Sequence, residues 1–194
     1  MSTPHPSGSA TPTPGSVTPR ELPAELWARL VSEQPTLAAY EQARCEVLQR
    51  RLWVPRPLAE VFAFFAEAGN LQQLTPKTLD FRIKTPQPIS MAVGTLIDYR
   101  IALHGLPMGW RTRISAWQPP HRFADEQLRG PYRIWWHEHH FVEHDGGTSI
   151  IDRVYFRSPL AFLAHPLVVR RELAGIFDYR TQIIAARFAA APSS

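Results

Sequence analysis

The sequence predicts an α+β fold in which a curved antiparallel sheet of about seven strands surrounds one long C-terminal helix, the helix-grip arrangement. The apolar residues change from a period of 3.6 to a period of 2 after Thr75-Pro76, and they return to a helical period after Pro166. Short turn-forming segments separate the runs in between. A single helix covers such a sheet only along a line, so the space beside the helix is predicted to be a cavity.

The chain is predicted to have three segments. Residues 1–18 are rich in proline, serine and threonine and are predicted to be a disordered tail. Residues 19–44 carry apolar residues at helical spacing and are predicted to form an N-terminal helical extension that breaks at Pro35. Residues 45–190 are predicted to form the helix-grip ligand-binding domain, because 194 residues suffice for one cored domain and an extension.

The elements of this domain follow from periodicity and punctuation. A first strand is predicted over 47–54, followed by two short helices that an interruption at Gly69-Asn70 separates. Six β-rich runs are predicted at 79–85, 94–104, 110–118, 122–129, 132–143 and 148–157. Their short connections favour an antiparallel meander. A long helix from Pro166 to about Phe188 has its apolar stripe at Val169, Leu173, Ile176, Phe177, Ile184 and Phe188.

Composition excludes several classes of protein. Cys45 is the only cysteine, which excludes an internal disulfide framework and a four-cysteine zinc site and fits a reducing compartment. No apolar run is long enough for a signal peptide or a membrane span, so a cytoplasmic protein is predicted. The net charge of +4 comes from scattered basic residues, so no nucleic-acid partner is expected. GxSxG, GxGxxG and P-loop patterns are absent, and no cofactor is predicted.

Alternation divides each strand between two faces of the sheet, and the more apolar face is predicted to line the cavity. In "WWHEHHF" the inward residues are Trp135, His137, His139 and Phe141, and the outward ones are Trp136, Glu138 and His140. The outward residues are expected to be solvated or, with an exposed Trp117, to form an interface such as a homodimer. Over 110–116 the inward residues are Trp110, Thr112, Ile114 and Ala116, which leaves Arg111 and Arg113 as surface charges.

The turn after this stretch predicts which residues face each other. If Asp145-Gly146 is a two-residue type I′ turn, His139 pairs with Asp152 and Phe141 pairs with Ile150. On the C-terminal helix, Arg180 lies in the middle of the apolar stripe and needs an anionic partner there. The predicted ligand-binding residues are therefore a polar cluster of Asp125, Gln127, His137, His139, Asp152 and Arg180, walled by Tyr99, Trp110, Trp135 and Phe141.

The order of elements resembles the START/Bet v 1-like superfamily, also called SRPBCC or polyketide cyclase/dehydrase-like. The strings "NLQQLTP", "GTLIDYRIALHGLPMGWRTRI", "FADEQLRGPYRIWWHEHHF", "DRVYF" and "IFDYR" are similar to a bacterial branch of it. Relatives in that branch also occur joined to nucleotide-sugar epimerase-like domains, which implies an epimerase-like partner. The resemblance covers about 45–188 and implies a cavity for a small molecule.

The predicted function is binding of a small, mainly hydrophobic or aromatic molecule between the sheet and the C-terminal helix. One alternative is a cyclase/dehydratase-like enzyme that uses His139 and Asp152 as an acid–base pair. Another is a non-catalytic interaction module whose buried polar network is purely structural. Metal coordination by His137-x-His139 with Asp125 or Asp152 is a third, but the spacing is a weak signal and the nearby arginine favours ion pairing, so no metal is predicted.

Overall fold

The computed structural model describes residues 18–20, 28, 32, 45–158 and 166–189. The strands are β1 (Thr18–Arg20), β2 (Cys45–Val54), β3 (Arg82–Ile83), β4 (Leu96–Leu103), β5 (Leu106–Gln118), β6 (Arg122–Arg129), β7 (Ile134–His144) and β8 (Gly147–Arg157). The α-helices are α1 (Leu58–Ala66) and α2 (Pro166–Ala189), and two 3-10 helices, Ala68–Gln72 and Lys77–Leu79, connect α1 to β3. The predicted α+β helix-grip fold is confirmed.

The strands form one antiparallel sheet in the order β1-β2-β8-β7-β6-β5-β4-β3. Strands β4 to β8 are a meander, because each is joined to the next by a short turn, and β2 pairs with β8 at the far side. The strand predicted at 79–85 is reduced to two residues. Strand β1 spans the boundary between the predicted tail (1–18) and the predicted helical extension (19–44). Apart from β1 and residues 28 and 32, both of these segments lie outside the described residues.

The two α-helices pack on the concave face of the sheet. In the part of the chain that the structure describes, no helix is long and apolar enough to cross a membrane. Helix α1 ends at Ala66, before the predicted break at Gly69-Asn70, and the side chain of Glu67 accepts a hydrogen bond from the amide of Gly69. The predicted apolar stripe of α2 is confirmed: Leu173 and Phe177 pack against β2 and β8, and Ile184 and Phe188 join the cluster around α1.

A bulge in β5 changes which of its side chains face inward. Ile114 lies opposite Asp125 and Ala116 lies opposite Ala124, so one extra residue stands in β5 between these pairs. Ala116, predicted to face inward, instead packs on the convex face against a buried cluster that includes Ala124 and Trp136. The ring of Trp117, predicted on the outer face, lies 5.4 Å from that of Phe62 inside. Both predictions were wrong because strict alternation does not anticipate an inserted residue.

The convex face of the sheet is more buried than predicted. Trp136 and Glu138 are only 5% and 8% exposed, so the expectation of a solvated surface was wrong for both. Arg113, predicted as a surface charge, donates two hydrogen bonds to the completely buried carboxylate of Glu126. Arg111 does lie at the surface, where it pairs with an exposed aspartate. Alternation separates the two faces of a strand, but it does not reveal whether the more polar face is covered.

Candidate functional site

A cavity of about 190 Å³ lies between the concave face of the sheet, α1 with the following 3-10 helix, and α2. Most of its wall is aliphatic or aromatic and includes Phe65, Leu71, Phe81, Ile97, Ile101, Trp110, Trp135 and Phe177. Apolar cavities on the order of 150 Å³ accommodate benzene. The interior therefore has room for a small aromatic molecule.

The charged and ionisable groups of one cluster border the cavity together, whereas other polar lining residues, such as Asn70 and Thr75, lie outside that cluster. Asp125, His137, His139 and Arg180 are the members that border the cavity, and Asp152 lies behind the imidazoles. Asp152 Oδ2 is 2.8 Å from Arg180 Nε, and Asp152 Oδ1 is 3.0 Å from His137 Nε2 and 2.6 Å from His139 Nδ1. One buried carboxylate is thus paired with a guanidinium and two ring nitrogens, which is how a buried charge is stabilised in a protein interior.

Strand register brings these residues together. Asp145 and Gly146 both have positive φ, at 48° and 72°, as a type I′ turn requires. The turn pairs His139 with Asp152 and Phe141 with Ile150, and both predicted pairs are confirmed. On the other side of β7, His137 lies opposite Asp125 of β6. The four polar residues of the sheet therefore form two cross-strand pairs and do not lie on separate loops.

The electrostatics of the cluster centre on Asp152. Burial would raise the pKa of this carboxyl, but Arg180 and the two imidazoles outweigh burial and hold the pKa well below its usual value. Burial and the neighbouring imidazole lower the pKa of His137. Burial also opposes protonation of His139, but Asp152 and Asp125 outweigh it and raise the pKa of this ring. Asp152 is therefore ionised across the physiological pH range.

Aromatic rings hold the two imidazoles in place. The ring of Phe123 stacks on His139 with centroids 4.1 Å apart, and Phe65 lies 5.9 Å from the same ring. His137 has its centroid 3.9 Å from that of His139 and 5.4 Å from that of Phe177. Packed on both sides, neither imidazole can rotate freely, so the direction of each ring nitrogen is defined by the fold.

Comparison with known families identifies the chain. The model of the family described as polyketide cyclase / dehydrase and lipid transport matches residues 54–174. The chain belongs to this family. The predicted resemblance to the START/Bet v 1-like superfamily is thereby confirmed, whereas the homodimer and the epimerase-like partner remain predictions. No curated protein matches the sequence.

Solved structures with the same fold come from distant organisms. Protein CV1439 from Chromobacterium violaceum has a TM-score of 0.59 and 10% identity, over 75% of this chain and 98% of that one. Ms6760 from Mycobacterium smegmatis has a TM-score of 0.55 and 18% identity, over 74% and 90%. The major latex-like protein 151 from Panax ginseng has a TM-score of 0.56 and 10% identity, over 74% and 97%. At these identities the likeness to the three structures shows the fold alone.

The structure places most of the predicted ligand-binding residues around this cavity. Seven of the ten border it: Tyr99, Trp110, Asp125, Trp135, His137, His139 and Arg180. Gln127 instead holds the turn between β6 and β7, because its amide donates to the carbonyl of Tyr132 and its carbonyl accepts from the amide of Tyr132. Phe141 packs into the core beside Phe62 and Phe65, and Asp152 lies behind the histidines.

Several residues of the site were not predicted from the sequence. Phe123 and Tyr132 border the cavity, as does Phe65 of α1. Phe123 lies two residues before Asp125 in β6, so the two side chains share a face of the sheet. Alternation along β6 therefore would have been enough to predict that Phe123 faces the cavity. Phe65 had no such signal, because its position in the site depends on how α1 packs across the sheet.

Proposed function

We propose that this protein binds a small, mainly hydrophobic or aromatic molecule in the cavity between the sheet and α2, with an oxygen-bearing group of the molecule at the polar cluster. The observation that carries the proposal is a cavity with a mostly apolar wall, into which one cluster of Asp125, His137, His139 and Arg180 brings charged and ionisable groups. Binding sites of this kind use the apolar wall for affinity and a few polar groups for orientation. The family description, which includes lipid transport, supports the same proposal.

The guanidinium of Arg180 favours an oxygen acceptor at this cluster. Its Nε faces Asp152, and a guanidinium carries further N–H donors in a fixed plane. A hydroxyl, carbonyl or carboxylate of the ligand can accept from these donors, and a hydroxyl can also donate to Asp125. A purely hydrocarbon ligand would leave these groups desolvated without a partner, which costs affinity.

Ligand binding is tested first on the protein as purified. Native mass spectrometry should detect a copurified small molecule, and its mass identifies the chemical class. Titration with 2-naphthol and with naphthalene then tests the polar cluster, using the fluorescence of Trp110 and Trp135, which border the cavity. We expect 2-naphthol to bind more tightly than naphthalene. No binding of either probe and no copurified molecule would contradict the proposal.

A pair of tryptophan substitutions locates the site. Ile101 is buried and borders the cavity, so Ile101→Trp should fill it and abolish binding of 2-naphthol. Leu106 is 69% exposed on the following strand, and Leu106→Trp is the matched control that should leave binding unchanged. A thermal melt of each variant shows that the fold is retained. Equal binding by both variants would place the probe elsewhere.

A second candidate function is acid–base catalysis by His139 and Asp152, and one distance favours it. A carboxylate 2.6 Å from Nδ1 forms an ion pair with protonated His139 and increases the basicity of this ring. Incubating the copurified molecule with the protein tests this function: His139→Gln should abolish conversion and retain binding. If the His139 and Arg180 variants unfold and the wild type neither binds nor converts any molecule, the network has a structural role alone.

A further inference from the structure

The arrangement of protons around Asp152 determines what the two imidazoles offer to the cavity. Asp152 Oδ1 is 3.0 Å from His137 Nε2 and 2.6 Å from His139 Nδ1. A ring nitrogen this close to a carboxylate oxygen carries a hydrogen, since two lone pairs would repel each other. The hydrogen bond of His137 Nε2 to Asp152 makes Nδ1 the acceptor of that neutral ring, and the 2.6 Å ion-pair contact favours the hydrogen of neutral His139 on Nδ1, which leaves its Nε2 as an acceptor.

Both acceptor nitrogens face a third acceptor. Asp125 Oδ2 lies 3.7 Å from His137 Nδ1 and 3.6 Å from His139 Nε2. These separations are longer than a hydrogen bond to a ring nitrogen. Ligand atoms held about 2.0–2.2 Å from a tetrahedral ion are about 3.3–3.6 Å apart. One donor atom from each of the three residues lies within 4.8 Å of the others, a spacing at which the three residues could hold a metal ion.

We propose that Asp125, His137 and His139 bind one divalent transition-metal ion, such as Zn²⁺, in the polar cluster that borders the cavity. Two imidazoles and one carboxylate are a ligand set that such ions use, and three protein ligands leave at least one coordination position open to the cavity. Asp152 accepts a hydrogen bond from Nε2 of His137 and so fixes the tautomer that coordination by Nδ1 needs, and the same carboxylate lies 2.6 Å from Nδ1 of His139 as an ion pair.

The charges of the cluster fit a cation. With both imidazoles neutral, the carboxylates of Asp125 and Asp152 outnumber the one guanidinium of Arg180, and the cluster carries one net negative charge. Arg180 pairs with Asp152 through Nε, 2.8 Å from Oδ2, so its charge is balanced by a carboxylate that is not one of the three ligands. Asp125 of β6 is the cross-strand partner of His137 of β7, and His139 lies two residues further along β7, so little conformational entropy is lost when the ion binds.

Cobalt and zinc test the proposal without any organic ligand, so its outcome is independent of the proposed function. The full chain is treated with chelator and dialysed. It is then titrated with CoCl₂ while visible absorption is recorded, and a second sample is titrated with ZnCl₂ in a calorimeter. We expect one ion per chain and visible bands of a low-coordinate Co²⁺ site. Asp125→Asn and His139→Gln should weaken binding by more than about 100-fold, since losing an outer-shell partner alone costs about 10–100-fold.

Asp145→Asn is the matched control for the aspartate substitution. Asp145 also lies beside a histidine, with its Oδ2 3.2 Å from Nε2 of His144, but it is exposed in the β7–β8 turn. The affinity of the Asp145→Asn variant for Co²⁺ should equal that of the wild type. Equal affinity of Asp125→Asn and the wild type, or no bound ion in the wild type, would overturn the proposal.

A spectrum of the wild-type protein keeps the test valid if a site variant fails to fold. Imidazole ¹⁵N correlations with and without Zn²⁺ should show shifts of His137 Nδ1 and His139 Nε2, while the nitrogens that face Asp152 keep their protons. Shifts confined to the other histidines would overturn the proposal, because the ion would then lie outside this cluster.

Discussion

Replacing Arg180 with methionine measures how strongly the polar cluster depends on its buried ion pair. The side chains of Arg180 and Asp152 are 9% and 6% exposed, so the substitution leaves a buried carboxylate without its guanidinium. Losing one partner of a buried pair costs about 3–5 kcal/mol. The two imidazoles beside Asp152 offset part of this, so we expect about 3 kcal/mol at pH 8. For a domain of this size that is a fall in Tm of about 6–12 °C.

The cost should depend on pH. The positive charge of Arg180 now opposes protonation of His139. Without Arg180, the folded-state pKa of this imidazole rises further above its unfolded value. A group with a raised folded pKa contributes stability that is fully present below the unfolded pKa and is lost as pH rises through the folded pKa. The difference in unfolding free energy between wild type and variant should therefore be smaller at pH 5.5 than at pH 8.

Urea denaturation at the two pH values measures both effects. Arg187→Met is the control, because Arg187 lies on the same helix but is exposed, with its guanidinium 4.9 Å from the ring of Phe64. Such an exposed contact contributes about 0.5–1 kcal/mol, with no dependence on the state of the histidines. Two results would refute this reasoning. If Arg180→Met lowers the free energy of unfolding by less than about 1 kcal/mol, the ion pair is not buried from solvent. If the loss is equal at both pH values, the ion pair does not interact with the imidazole of His139.

Three further predictions concern the sheet. Burial would raise the pKa of Glu138, but hydrogen bonds with His140 and Trp136 and the charge of Arg122 lower it from 4.5 to about 2. Glu138→Gln should therefore lower the free energy of unfolding by up to about 3 kcal/mol at pH 7. In urea denaturation, the difference between wild type and variant should decline as pH falls from 4.5 towards 2. If the carboxylate were solvated, the difference would be absent at every pH. Gly147→Ala should destabilise the protein by about 1–3 kcal/mol, because the new Cβ would lie 2.3 Å from the carbonyl oxygen of Val54. The control is Gly109→Ala, because Gly109 has open space around it. A thermal melt should show a lower Tm for Gly147→Ala and no such loss for Gly109→Ala. Phe141→Leu should lower the free energy of unfolding by about 1–2 kcal/mol, because Phe141 packs in the hydrophobic core. The affinity for 2-naphthol should not change, since this ring does not border the cavity. Weaker binding would contradict the placement of Phe141 outside the cavity.

The contact between His139 and Asp152 could be predicted from the sequence because its causes are local. A two-residue turn defines the register of a hairpin, and alternation then assigns every side chain of both strands to a face. The stripe of α2, including Arg180, followed in the same way from a helical period. These rules sufficed for the meander of strands, the long helix and three members of the polar cluster, His139, Asp152 and Arg180, but not for the length of β3 or the bulge in β5.

The rest of the site depends on features that no local pattern encodes. Gln127 has the parity of an inward residue, but its amide is used by the turn that follows, since Tyr132 offers both an N–H and a carbonyl at the right distance. The extra residue between Ile114 and Ala116 decides that Trp117, rather than Ala116, faces α1. Two acceptor nitrogens and one carboxylate oxygen converge only because β6, β7 and β8 are in register at the same level. A His-x-His pattern on one strand shows that two imidazoles share a face; the carboxylate on each neighbouring strand decides which nitrogen of each ring is available. The chemistry of the cavity is therefore a property of the register of three strands rather than of the seven-residue stretch that contains the histidines.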